Sequence, residues 1–116
     1  MDEISDFERD RVRDLISAAV SADWERFSQL SEGGFINSES MKEQFDTSIL
    51  ELASYQAGWE RRMSVSVVDD GTRVIDVALF SKVQSAPPVN LIIHSTNDTS
   101  LSKISVWVFY PEPTFG

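Results

Sequence analysis

The chain is 116 residues long, 41% apolar, with three Trp, seven Phe, no Cys and a net charge of −9. This length supports one domain around one core (1–116). The missing Cys excludes a disulfide framework or thiolate centre, and no run of 18 apolar residues marks a membrane span. Residues 1–60 hold 14 Asp and Glu against 5 Lys and Arg, whereas residues 61–116 hold 5 of each. The excess charge therefore lies wholly on the first half, where it repels nucleic acid and anionic membrane and attracts a basic partner.

The acidic start of the chain lacks the basic-then-apolar order of a secretory leader, which predicts a cytoplasmic protein. Ser5 with Glu8 three residues on forms a capping box that opens a first helix. Val12, Leu15, Ile16, Ala19 and Val20 recur at helical spacing as its buried stripe, and Asp10 and Asp14 fall on the other side. Ser21 or Asp23 is placed to cap a short second helix with Trp24, Phe27 and Leu30 on one face. The loop at 31–34 contains Gly33 and Gly34. A third helix is predicted from Ser38 or Ser40 to Ala57, with Ser40 and Glu43 as a second capping box and Gly58 as its stop. Its stripe Met41, Phe45, Ile49, Leu52 and Gln56 reads as core. Glu39, Glu43, Asp46 and Leu50, flanked by Glu51, read as an acidic exposed ridge with one apolar residue in it.

Four strands follow. Residues 61–68 alternate, with Met63, Val65 and Val67 on one face. Asp69, Asp70 and Gly71 form a hairpin turn, because Gly supplies the positive φ. Strands are then predicted over 72–83, 89–95 and 101–110, with a tail at 111–116. The last strand, rich in branched and aromatic residues and apolar on both faces, is expected at the centre of the sheet. No connection is long enough for a crossover helix, so the sheet must be an antiparallel meander. The predicted fold class is α+β: three N-terminal helices (1–60, the acidic half) packed on a four-stranded antiparallel β-meander (61–110). The expected core is Val12, Leu15, Ile16, Ala19, Trp24, Phe27, Phe45, Ile49, Leu52, Val65, Val77, Leu79, Ile93, Val106 and Val108.

Chemistry-bearing motifs are few. His94, the sole histidine, lies in a strand, and Asp76 is its candidate partner for general-base chemistry; the plainer reading is a surface histidine beside a solvent-facing Asp. Asp69 and Asp70 sit in a turn that favours Asp for backbone reasons, so no metal is expected there. Gly33-Gly34 lacks the Lys and preceding strand of a phosphate loop. No cofactor is expected. Trp24, Trp59 and Trp107 read as core or interface anchors, since no basic groove surrounds them.

The stripe over 12–20 followed by Ala22-Asp23-Trp24-Glu25-Arg26-Phe27 resembles the helix–turn–helix opening of the cystatin-like, nuclear-transport-factor-like α+β roll. Such folds host both pocket enzymes and non-enzymatic partners. In size, acidity and lack of Cys the chain also resembles the immunity proteins of bacterial contact-dependent and polymorphic toxin systems. That resemblance implies a non-catalytic protein that binds and neutralises a cognate toxin domain, a basic nuclease. Its contact surface is then expected at Glu39, Glu43, Asp46, Leu50 and Glu51, with Asp69, Asp70, Asp10 and Asp14 as secondary candidates. The alternatives are a small-molecule-binding or enzymatic domain with an enclosed pocket near His94 and Asp76, and an acidic secretion chaperone.

Overall fold

A computed structural model describes residues 3–55, 58–82 and 87–112. The chain runs α1 (Asp6–Val20), α2 (Trp24–Leu30), α3 (Ser38–Ala53), β1 (Trp59–Val67), β2 (Arg73–Ser81), β3 (Val89–Ser95) and β4 (Ile104–Pro111). The strands form one antiparallel sheet in the order β1-β2-β3-β4, the α+β meander expected from the sequence. The expectations at Gln56, Ala57, Val83, Ser85, Ala86 and the tail from Pro113 lie outside the described residues.

Local chemistry sets most boundaries. At the start of α1 the Glu8 amide donates to Ser5 Oγ (3.1 Å) and the Ser5 amide donates to Glu8 Oε1 (2.9 Å), a complete capping box. Asp23 caps α2 by accepting the Arg26 amide. The cap of α3 is Asn37, not Ser40: Asn37 Oδ1 accepts the Ser40 amide at 3.0 Å. The helix also stops at Ala53 rather than running to 57. The Ser54 hydroxyl donates to the Glu51 carbonyl (2.6 Å) and closes the last turn, after which buried Tyr55 donates to the Pro87 carbonyl (3.2 Å). Between β1 and β2, Gly71 at φ 86° makes the tight turn, and Asp70 Oδ1 accepts the Thr72 amide.

The core lies between the helices and one face of the sheet. α1 packs against α2 and α3, and α3 lies on β4 and β3. Val12, Leu15, Ile16, Ala19, Phe27, Met41 and Phe45 meet Ile75, Val77, Leu79, Leu91, Ile93, Val106 and Phe109, all buried. Phe27, Phe45 and Phe109 form an aromatic cluster with Trp24 and Phe35, with neighbouring rings 5.0–6.3 Å apart. Trp24, Ile49 and Val65 are half-buried against this core.

Three expectations need correction. Val20 is not in the stripe: as the last residue of α1 it is 57% exposed. Val108 is not in the core. Ile92 pairs with Val108 but Ile93 pairs with Val106, so Trp107 is an extra residue in β4. This bulge reverses the alternation, turning Phe109 inward and Val108 outward. Finally, β4 is an edge strand rather than a central one, because a meander leaves its last strand at the margin.

Its free edge is covered by side chains. Ser31 Oγ accepts the Val106 amide (2.9 Å), Gln44 Oε1 accepts the Phe109 amide (2.9 Å), and the buried Ser48 hydroxyl donates to the Phe109 carbonyl (2.8 Å). An edge tied in this way offers no ladder to another strand.

Candidate functional site

A 3.6-residue period brings Glu39, Glu43, Asp46 and Leu50 onto one face of α3, where all four are exposed and Leu50 is 73% accessible. Asp46 is partly neutralised by Lys42 Nζ at 2.7 Å. Among the described residues Glu39 and Glu43 form no ion pair. Glu51 lies off this row and is half-buried. Burial, and then the charge of Glu51, push the Tyr55 hydroxyl above the usual tyrosine pKa.

The secondary acidic positions lie on other elements. Asp10 and Asp14 share the guanidinium of Arg13 on α1, at 3.4 and 3.7 Å. Asp69 and Asp70 are exposed in the β1–β2 turn, whereas α3 packs on β4 and β3, at the far side of the sheet. Hydrogen bonds from the Thr72 hydroxyl and amide hold the Asp70 carboxyl below its ordinary pKa.

Among the described residues the structure does not bring His94 and Asp76 together in an enclosed pocket. Both residues lie on the outer face of the sheet, the side turned away from the helices. Asp76 pairs with Ile92 and His94 with Val74, which leaves the two diagonal to each other with no hydrogen bond between them. The His94 ring instead stacks on Trp107, with centroids 4.8 Å apart and planes 6° apart. Asp76 lines a shallow open depression with Arg62, Ala78 and Phe80 that does not include His94.

Sequence reasoning missed two features. One is the buried pair of Glu8 and Arg73, in which Arg73 Nε donates to Oε2 (2.8 Å) and Nη2 to Oε1 (2.9 Å). Burial alone would raise the Glu8 pKa; hydrogen bonds from Arg73, Ser5 and Ser95 together with the Arg73 charge outweigh it and hold the carboxyl below its ordinary value. Periodicity was the available signal, since Glu8 lies four residues before Val12 on the apolar stripe. The other is the outer sheet face, where no layer of the described residues covers Val74, Ala78, Phe80, Ile92, Val108, Trp107 and Tyr110. Its signal was the second apolar face of the strands, which three helices on one side cannot cover.

Among the described residues no three His, Asp or Glu side chains lie close enough to hold a metal ion, and no helix is long and apolar enough to cross a membrane. Compared with known proteins, the chain matches no family model, no curated protein and no solved structure.

Proposed function

We propose that this chain is a non-catalytic immunity protein that binds a basic toxin domain, a nuclease, through its acidic helical half. The observation carrying this reading is the exposed face of α3, where Glu39 and Glu43 pair with no cation among the described residues and lead to the accessible Leu50. Uncompensated carboxylates steer a basic protein during encounter and disfavour acidic competitors. An exposed leucine at the end of the row supplies apolar contact once the partner has docked. The ordinary role of such acids is solubility, so the decisive question is whether these particular ones set an association rate.

The test is co-purification with the protein encoded by the adjacent reading frame, together with protection of cells that express it. A stoichiometric complex is expected. Glu39→Lys with Glu43→Lys should leave the thermal midpoint in place, slow association about tenfold or more at low salt, and flatten its salt dependence. Asp46 is the poorer choice for reversal, because Lys42 already offsets it. Absence of a complex rejects the proposal. An unchanged association rate moves the interface away from α3.

A further inference from the structure

We propose that the open outer face of the sheet, built on Val74, Phe80, Ile92, Trp107, Val108 and Tyr110, is a self-association surface on which a second copy of this chain docks face to face. This is independent of the toxin-binding reading and stands or falls separately. The side chains alternate outward from β2, β3 and β4 and adjoin across the strands, Ile92 beside Val108 and Val74 beside His94. Trp107 is 43% and Tyr110 45% exposed. Val74, Phe80, Ile92 and Val108 are half-buried beside them, and the exposed Asp76 carboxylate stands opposite Ile92; an apolar patch set among polar groups in this way marks an interaction surface. The bulge brings Val108 out beside Trp107, and the stacking of Trp107 on His94 holds the ring in place before any partner arrives. Ser64, Ser66 and Arg62 on β1 form a polar rim, with the Arg62 guanidinium 4.9 Å from the Phe80 ring centre.

Charge selects the occupant. Two chains of net charge −9 repel, and that excess lies on residues 1–60, which form the helical layer and lead into β1. The outer face itself carries Glu60, Arg62 and Asp76, a net charge of −1 against the −9 of residues 1–60. Docking sheet to sheet places the two acidic layers on opposite sides of the assembly, about 30 Å apart and beyond the screening length at physiological salt. A basic partner, by contrast, is drawn to the helical layer. Strands of seven to nine residues, four abreast, make a face of roughly 500 Å². Two such faces bury roughly 1,000 Å² in total, where specific interfaces begin. The blocked edge of β4 excludes dimers that add a strand there; β1 is the sheet's other edge, and pairing along it would not involve Trp107.

Sedimentation equilibrium of the whole chain from about 1 to about 100 µM, the range a small interface requires, tests this. The mass should rise from 13.1 kDa toward twice that value. A mass that stays at the monomer value overturns the proposal and leaves the face to a different protein. Trp107→Glu should raise the dissociation constant about tenfold or more, while Leu50→Glu on α3 leaves it unchanged. A Trp107→Glu dimer as tight as the wild type overturns the face assignment. Should Trp107→Glu fail to fold, spin labels decide, because the chain has no cysteine of its own. Labels at Ser64→Cys should lie closer together across the dimer than labels at Glu43→Cys. An equal or reversed order overturns the proposal.

Discussion

At the residue scale the most consequential contact is Glu8 with Arg73. Glu8 is fully buried and Arg73 nearly so, and the guanidinium also donates to the Glu3 carbonyl. A buried ion pair contributes little net stability, but removing one partner strands the other charge. Glu8→Gln should therefore cost about 3–5 kcal/mol in denaturant unfolding, and replacing both residues by Met should recover much of it. The sign of the pH effect follows from the lowered Glu8 pKa. Its contribution is complete above the unfolded glutamate value of about 4.3 and is lost as pH falls through the lower folded value. The wild type should lose stability on that acid limb, and Glu8→Gln should be flatter across it. Leu15, fully buried among the helices, provides the apolar comparison: Leu15→Ala should cost about 2–5 kcal/mol.

At the element scale β4 shows how an edge strand is made safe. Its outward-facing backbone groups are taken up by Ser31, Gln44 and Ser48, side chains from the helical half of the chain. Ser48→Val removes the donor to the Phe109 carbonyl at a fully buried site. It should cost about 1–3 kcal/mol in thermal or urea unfolding, more than the similar change Thr47→Val on the exposed side of the same helix. Faster aggregation of Ser48→Val than of Thr47→Val under mild heating would follow from the loosened edge. The cap of α3 is a smaller effect: Asn37→Ala should cost about 1 kcal/mol, whereas Ser40→Ala, at the position the sequence favoured, should cost less.

At the scale of the whole molecule two surfaces of opposite character sit on opposite sides of one core. The helical layer carries the acidic excess and the outer sheet face carries apolar and aromatic side chains with a net charge of −1. The exposed acids of α3 repel one another, and salt screens exposed charges far more than the buried Glu8–Arg73 pair. The thermal midpoint should therefore rise between about 0.02 and about 0.5 M sodium chloride. That rise should shrink in the Glu39→Lys, Glu43→Lys variant, where the repulsion is already relieved.

The sequence by itself determined the order of elements, the antiparallel meander, the capping of α1, the Gly71 turn and most of the core. Each of these depends on interactions between residues close along the chain: an i to i+3 hydrogen bond at Ser5 and Glu8, a 3.6-residue stripe from Val12, or a run too short for a crossover. The exposure of Glu39, Glu43 and Leu50 was legible for the same reason, since each lies two positions, and so roughly half a turn of helix, from buried Met41, Phe45 and Leu52. Only the tertiary structure decided the rest. The bulge at Trp107 depends on how β4 registers against β3, and one extra residue sends Val108 outward and Phe109 inward. The partnership of Glu8 with Arg73 joins residues 65 positions apart, and no local pattern encodes it. The face that remains open was decided by packing as well: both sides of the strands are apolar, and the single helical layer could cover one of them.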